Sequence, residues 1–368
     1  MNDFHRDRQA ASLGDKLLAR WDRLARSGFV TFAAVLLALA LGGGLWMAHL
    51  KGRIHQLTTT QDVAERATSA PRPGGQDLAR LTRFNAAGTL VPELTGATFA
   101  PGDGMLLLQA ALTVPGNGEQ PLLAGTPEDR IAVLGDSLNG AELSARVQTR
   151  EGARWSTPVE LIAGHASSQQ ETNVVAGGSR AVARFSADVP GTGAAPSKGV
   201  EAVVNAALTN HGLQLSITVK NVSPGARGVT VAWRVPLLAP RAGVRTAAIV
   251  PPAQAAGASA QKTELLLGRH DVDQTFAPLQ QTYLSAGPEL LLRLPAEGYN
   301  LQFTALTPSI RSVRVQAAQQ AGPIAITFST ALGGQSDEQP TVIAPGETLQ
   351  WRMRMEATAS EPAPSPAP

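Results

Sequence analysis

The chain has 368 residues, of which 43% are hydrophobic and 16% are charged, and its formal net charge is +2. This length allows one large β domain or two smaller ones, and the near-neutral charge argues against a nucleic-acid partner. The absence of cysteine excludes disulfides, thiolate catalysis and cysteine-ligated metals, and the six histidines form no pair at metal-ligand spacing. The sequence therefore predicts neither a metal ion nor a cofactor.

An uncharged apolar run at 29–50 follows a segment, 1–28, that holds six basic residues. At about 1.5 Å per residue the run is long enough to cross a hydrocarbon core of about 30 Å. Only Lys51 and Arg53 follow it closely, so the positive-inside rule predicts a cytoplasmic N-terminus and, in a Gram-negative cell, a periplasmic main domain. A signal peptide cleaved near Ala40 is the alternative, but the long basic segment favours an uncleaved inner-membrane anchor.

Three other segments flank the main domain. Residues 1–28 are predicted as a cytoplasmic segment, either an amphipathic helix on the membrane surface or a solvated helix leading into the span. Residues 51–84 are predicted as a linker, broken by prolines and glycines, with one short helix at 77–84. Residues 357–368 are rich in Pro, Ala and Ser, which predicts a disordered tail.

Residues 85–356 show the alternation of apolar and polar side chains that is typical of half-buried antiparallel strands. The pattern is clear at Leu213–Val219, at Val229–Val235 and at Thr348–Glu356. Further predicted strands are Met105–Val114, Arg130–Leu134, Leu143–Arg150, Ala181–Ser186, Leu290–Leu294, Tyr299–Leu306, Arg311–Gln316 and Ile324–Ser329. More than ten strands without intervening helices predict a mainly β, antiparallel two-sheet sandwich.

Three features between about 181 and 356 resemble the galactose mutarotase (aldose 1-epimerase) family. They are a hairpin-like region at Leu213–Pro236, an Asp-x-x-aromatic segment from Asp273 to Phe276, and the Pro-Gly-Glu turn at Ala344–Thr348 before the last strand. The resemblance implies a mutarotase-like β-supersandwich behind the membrane span. It also implies a carbohydrate ligand bound at the positions that match the family's motifs.

The family opens the sugar ring with a Glu that acts as base and a His that acts as acid. The matching positions here hold Ser329 and Arg234. A serine hydroxyl is not a base without a helper, and a guanidinium stays protonated near neutral pH. The sequence therefore predicts a domain that binds sugar without full epimerase chemistry, and it leaves the catalytic residues unassigned.

Four residues are predicted to bind substrate: Arg234, Asp273, Trp233 and Ser329. Arg and Asp can hydrogen-bond sugar hydroxyls, and Arg can bind the carboxylate of a uronic acid with two parallel bonds. Trp233 can stack on a sugar face, although its phase with Val231 and Val235 favours the core. Simple solvent exposure is the alternative interpretation of Arg234 and Asp273.

These observations leave three hypotheses for the function. The first is a membrane-anchored periplasmic domain that binds carbohydrate, with polysaccharide-export or other envelope proteins as further partners. The second is an active aldose 1-epimerase. The third is an envelope scaffold, as in the periplasmic domain of membrane insertases, which has the same class of sandwich.

Overall fold

The computed structural model describes part of the chain, all of it within the compact unit Pro71–Pro368. The described residues are 77–83, 90–127, 138–152, 154–162, 167–169, 179–189, 197–241, 243–255, 264–280, 287–319, 322–333 and 339–360. None of the helices in these ranges has the length and apolar character needed to cross a membrane. The predicted span at 29–50 and the predicted cytoplasmic segment lie outside them, so both stay predictions.

Strands dominate the described residues, with three short 3-10 turns at Pro101–Asp103, Val244–Thr246 and Pro295–Glu297. The strands are β1 Ala79–Thr82, β2 Glu93–Ala100, β3 Leu106–Val114, β4 Gly118–Pro121, β5 Glu142–Glu151, β6 Arg154–Trp155, β7 Val159–Glu160, β8 Ser167–Gln169, β9 Ser179–Val189, β10 Ser197–Thr209, β11 Gly212–Asn221, β12 Arg227–Leu237, β13 Ala248–Val250, β14 Leu265–Leu266, β15 Val272–Phe276, β16 Glu289–Leu294, β17 Tyr299–Ala305, β18 Ser312–Ala317, β19 Ile324–Ser329, β20 Thr341–Ile343 and β21 Thr348–Ala359. The mainly β prediction is confirmed.

The strands described form three antiparallel sheets. The nine-stranded sheet has the order β14-β13-β16-β17-β21-β11-β10-β9-β8. The eight-stranded sheet runs β15-β18-β19-β12-β5-β6, with β20 beside β12 and β7 beside β5, and the small sheet runs β1-β2-β3-β4. Two isolated bridges, Leu107 to Ala141 and Leu123 to Leu237, join the small sheet to the eight-stranded one. The fold is therefore a sandwich, with the small sheet continuing one of its layers.

Strand alternation explains why the two large sheets face each other. On β11 the residues Leu213, Leu215, Ile217 and Val219 are all buried, whereas the residues between them are only half-buried. Their partners on β21 are also apolar, and Ile217 lies opposite Trp351. Each large apolar side chain buried in this way contributes about 1.5–3 kcal/mol to folding, so alternation on many strands accounts for the core.

Aromatic rings connect the two layers at the centre of the core. The ring of Trp233, on the eight-stranded sheet, meets that of Trp351, on the nine-stranded sheet, at 6.4 Å in a T-shaped arrangement. Phe328 lies beside Trp233 at 6.4 Å, and Phe303 lies 5.4 Å from Phe328. The edge-to-face pair of Trp233 and Trp351 adds about 0.5–1.5 kcal/mol beyond burial. The aromatic cluster thus fixes how the sheets face each other.

The predicted hairpin at Leu213–Pro236 is wrong in its topology. β11 pairs with β10 and β21 in one sheet, whereas β12 pairs with β5, β19 and β20 in the other. The segment after Asn221 therefore crosses between layers, and side-chain bonds hold it. The Asn221 amide donates to the carbonyls of Gly225 at 2.8 Å and Ile343 at 3.1 Å, and its oxygen accepts from the Ser223 backbone at 3.0 Å.

The predicted limits of the domain also need correction. The expected helix at 77–84 is instead the strand β1, whose Ala79 and Leu81 are buried, so the sandwich begins upstream of residue 85. The last strand runs to Ala359, past the predicted end at Glu356, because β17 pairs with it that far. The other predicted strands are found within a few residues of their expected limits, except Arg130–Leu134, which lies outside the described residues.

Candidate functional site

The face of the eight-stranded sheet that points away from the core carries a line of polar residues in register. Glu142 on β5 lies opposite Arg234 on β12, and Arg234 lies opposite Thr327 on β19. Thr327 pairs with Arg314 on β18, which pairs with Thr275 on β15. Paired positions in antiparallel strands point to the same face. These five residues, called the Arg234 row below, therefore form one transverse line across five strands.

Arg234 is an exposed cation in this row. Within the described part of the chain it has no ion pair and no side-chain hydrogen bond. Its neighbour across the strands, Glu142, is exposed as well. The five N–H donors of the guanidinium are thus free to bind water or a ligand, and a planar anion suits their geometry best.

Asp273 lies on the same face but is held by two neighbouring side chains. Arg314 donates from Nε to Oδ1 at 2.7 Å and from Nη2 to Oδ2 at 2.6 Å, and Gln316 Nε2 donates to Oδ2 at 3.2 Å. The hydrogen bonds from Arg314, helped by that from Gln316, hold the pKa of Asp273 below its usual value. The same contact raises the pKa of Arg314. A carboxylate stabilised in this way is a poor proton acceptor but still accepts hydrogen bonds, because 52% of its side chain is exposed.

Arg234 and Asp273 do not lie next to each other. Asp273 pairs with Gln316, Gln316 with Ala325, and Ala325 with Pro236 on β12. Three strand steps of about 4.8 Å separate Asp273 from Pro236, and Arg234 lies two residues of about 3.3 Å further along β12, so the backbones of Arg234 and Asp273 are about 16 Å apart. This span suits a ligand of several sugar units. It does not let the two side chains flank a single anomeric centre.

The predicted contact between Trp233 and a sugar face is wrong. The side chain is 1% exposed and lies between Trp351 and Phe328 in the aromatic cluster. Because side chains alternate along β12, burying Trp233 turns Arg234 to the opposite face. The core interpretation of Trp233 therefore holds.

Ser329 has the predicted phase but not the required access. It pairs with Ala232 and Ser312, which places it on the face opposite Phe328. It is nevertheless 2% exposed, and its Oγ accepts a hydrogen bond from the Ala331 backbone at 3.0 Å. A ligand on the surface of the sheet cannot reach this hydroxyl, so its assignment as a binding residue is wrong.

Sequence reasoning missed Thr327, Arg314, Gln316 and Glu142 on this face. The phase that places Arg234 and Ser329 outward also places Thr327 outward, because it stands two residues before Ser329. Arg314 and Gln316 alternate with the buried Val313 and Val315. Alternation was therefore sufficient to assign these residues to the outer face. Only the strand order showed that β15, β18, β19, β12 and β5 lie side by side.

The Arg234 row holds two guanidiniums, two hydroxyls and one carboxylate. No residue of the Arg234 row is a histidine, and its one carboxylate, Glu142, lies beside a cation that does not exchange protons near neutral pH. The described residues contain no group of three or more His, Asp or Glu that is placed to hold a metal ion. Among its described residues the face offers the free guanidinium of Arg234, the hydroxyls of Thr327 and Thr275, the exposed carboxylate of Glu142 and the hydrogen-bonded carboxylate of Asp273.

Comparison with known proteins identifies the architecture. No sequence-family model matches this chain, and no curated protein matches it in sequence. Among solved structures, the Slr1438 protein of Synechocystis sp. PCC 6803 is similar with a TM-score of 0.56 and 14% identity, covering 80% of this chain and 99% of that protein. A galactose mutarotase-like protein from Clostridium acetobutylicum is similar with a TM-score of 0.50 and 9% identity, covering 76% and 98%. Such low identities establish a fold and not a function, and the chain therefore has the galactose mutarotase-like fold that its sequence resemblance predicted.

Proposed function

We propose that this chain binds an acidic oligosaccharide on the Arg234 row, in a domain that is anchored to the inner membrane and faces the periplasm, and that it does so without epimerising the sugar. The fold supports a carbohydrate ligand, because the proteins of similar structure include one described as galactose mutarotase-like. The single observation that carries the proposal is the free, exposed guanidinium of Arg234 in a line of hydrogen-bonding groups.

The free guanidinium of Arg234 favours a ligand that carries a carboxylate, and the spacing of this face favours an extended one. A uronate carboxylate can accept two parallel hydrogen bonds from Arg234. Asp273, about 16 Å away, can accept bonds from the hydroxyls of a more distant sugar unit, since half of its side chain is exposed. The hydroxyl of Thr327 lies one strand from Arg234, and that of Thr275 lies on β15, two residues from Asp273.

The absence of epimerase chemistry follows from the proton-transfer groups that ring opening needs. An acid and a base must both reach one sugar ring, with pKa values near the working pH. Arg234 stays protonated, and the pKa of Asp273 is held low by Arg314. Ser329, which stands where the family has its base, is buried.

The anchor is supported by sequence alone. The apolar run at 29–50 is flanked by six basic residues before it and by Lys51 and Arg53 after it. This asymmetry places the sandwich on the periplasmic side. Fusing a reporter that folds only in the cytoplasm, and one that is active only in the periplasm, to the C-terminus tests this orientation.

Binding is tested by calorimetry with the full chain in a detergent that has no sugar headgroup. The probes are tetragalacturonate and the neutral maltotetraose. We expect saturable binding of the acidic probe and about tenfold weaker binding at this site in Arg234→Ala, the loss of roughly 1.4 kcal/mol. Arg293→Ala is the matched control, because Arg293 is an exposed arginine on the other sheet, paired with Glu264 at 3.2 Å. Unchanged affinity in Arg234→Ala contradicts the proposal.

Polarimetry of fresh α-glucose and α-galactose tests the epimerase alternative. We expect the rate of mutarotation to equal that of buffer. An enzyme-dependent acceleration that is lost in Glu142→Gln or Asp273→Asn restores the catalytic hypothesis and assigns its groups. If neither binding nor acceleration is found and an envelope protein co-purifies with the chain in fixed ratio, the scaffold hypothesis replaces both.

A further inference from the structure

The nine-stranded sheet has a polar groove on its own outer face, on the side of the sandwich opposite the Arg234 row. The groove encloses about 410 Å³ and lies across β9, β10, β11 and β21. Its polar lining includes Arg180, Asn205, Gln214, Ser216, Gln350 and Arg352. We propose that this groove, called the Arg352 groove below, is a second binding site for an acidic oligosaccharide.

Strand register gathers these side chains into a compact grid. Asn205 pairs with Ser216, and Ser216 pairs with Arg352, so these three residues form one transverse row. Ala207 pairs with Arg180 and with Gln214, which gives a second row one step along the strands. Neighbouring strands are about 4.8 Å apart. Amides, a hydroxyl and two guanidiniums therefore converge within the reach of a single oligosaccharide.

The side chains that line the groove differ in exposure. Asn205, Gln214 and Ser216 at its floor are half-buried, whereas Arg180 and Arg352 are exposed at its sides. The volume of about 410 Å³ lies within the range of small-ligand sites. A chain of sugars can lie along these amides.

The electrostatics of the groove favour a negative ligand. In the described ranges no carboxylate lines it, and Arg352 makes no side-chain hydrogen bond or ion pair there. The nearby Glu356 on the same strand is paired with Arg354 at 3.4 Å. Within the described residues Arg352 is thus a cation without an ion pair, whereas Arg234 on the other face lies opposite Glu142.

The hydrogen-bonding groups favour a sugar over other anions. Arg180 Nε donates to Asn205 Oδ1 at 2.5 Å, which orients that amide and leaves its two N–H donors for a ligand. Gln214 and Gln350 offer both donors and acceptors, the combination that sugar hydroxyls need. Arginines alone are sufficient to bind an anionic membrane, and such binding does not need the half-buried amides of this groove. The guanidinium of Arg352 suits the carboxylate of a uronic acid.

The two sites are independent of each other. The layers of a sandwich lie about 10 Å apart with a packed core between them, so one ligand cannot contact both outer faces. The inference therefore does not rest on the proposed function of the Arg234 row. Two sites on opposite faces would let one domain hold two strands of an acidic polysaccharide.

The test is calorimetry of tetragalacturonate with the full chain, in the same sugar-free detergent. We expect two molecules bound per chain, with one of the two affinities weakened about tenfold in Arg234→Ala and the other weakened about tenfold in Arg352→Ala. In the Arg234→Ala background, adding Arg352→Ala should weaken the remaining binding at least tenfold, whereas adding Arg293→Ala should not. Gln214→Ala in that background should weaken binding by about threefold, without removing a charge.

The outcomes separate the two proposals. If Arg234→Ala abolishes all binding, the Arg352 groove is not a site, and the function proposed for the Arg234 row stands. If Arg352→Ala abolishes all binding and Arg234→Ala has no effect, the Arg352 groove is the binding site and the function proposed for the Arg234 row is wrong. If tetragalacturonate does not bind in the Arg234→Ala background but vesicles rich in phosphatidylglycerol bind in an Arg352-dependent way, the groove recognises lipid and the saccharide inference is overturned.

Discussion

Trp233 and Arg234 are neighbours in the chain, yet they belong to two regions with opposite roles. Trp233 lies in the inner layer between the sheets, in contact with Trp351 and Phe328. Arg234 lies on the outer face, exposed and without a partner among the described residues. One strand thus contributes alternately to the core and to a surface that can bind a ligand. Stability should depend on the inner residues, and binding on the outer ones.

The largest effect is expected in the inner layer. Trp233→Ala should lower the free energy of unfolding by about 3–5 kcal/mol, because it removes a fully buried indole and leaves a cavity among Trp351 and Phe328. Urea unfolding followed by circular dichroism measures the loss. Trp233→Phe, which keeps an aromatic ring, should cost less than half as much. A cost below about 1 kcal/mol for the alanine variant would mean that the rings do not hold the layers together.

The next effect is expected at the turn that sets the register of the nine-stranded sheet. Gly212 has a φ of 93°, and a Cβ there would lie 2.2 Å from the carbonyl oxygen of Met355. Gly212→Ala should therefore lower the free energy of unfolding by about 2 kcal/mol or more, from backbone strain and the clash together. If the register shifts, the rows of the Arg352 groove are lost with it.

Two glycines serve as controls for that variant. Gly346 has a φ of 79° but no atom within 4 Å of an added Cβ, so Gly346→Ala should show the strain without the clash. Gly225 has neither an unusual φ nor a close neighbour, so Gly225→Ala should change stability little. If Gly212→Ala costs no more than Gly346→Ala, the close approach to β21 is relieved by a small movement of the chain.

A smaller effect is expected at the ion pair on the outer face. Asp273→Asn should lower the free energy of unfolding by about 0.5 kcal/mol at pH 7, since the pair is bidentate but partly exposed. The pKa of Asp273 is lowered in the folded state. The contribution of ionised Asp273 to the free energy of unfolding is therefore fully present above a pH of about 4, the pKa of this carboxyl in the unfolded chain. It is lost as the pH falls below that value.

The measurement is the free energy of unfolding of wild type and of Asp273→Asn at several pH values. Stabilities of the two proteins should differ at pH 7 and converge near pH 3. Arg314→Gln, which removes the other half of the pair, should give the same pH trend. A difference in the free energy of unfolding that grows as the pH falls would contradict the interpretation that ionised Asp273 stabilises the fold through Arg314.

The contrast between inner and outer side chains of one strand also explains how much of the fold and of the site could be predicted from the sequence. Alternation alone gave the inner and outer phases of β11, β12, β19 and β21, because burial of apolar side chains is a local pattern with period two. It did not give the sheet to which each strand belongs, so β11 and β12 were joined as a hairpin. Nor did it give the partner of Asp273, since Arg314 becomes its neighbour only through the pairing of β15 with β18. Pairing between strands that are distant in sequence leaves no local signal.

The smallest effect on stability, and the sharpest test of the contrast, is expected at Arg234. Arg234→Ala should change the free energy of unfolding by less than about 0.5 kcal/mol, because an exposed side chain without a partner contributes little to folding. The same variant should weaken the binding of tetragalacturonate to the Arg234 row about tenfold. Urea unfolding and calorimetry on one preparation measure both quantities. A variant that loses stability as well as affinity would show that Arg234 supports the sheet, and a variant that loses neither would leave the outer face without its proposed role.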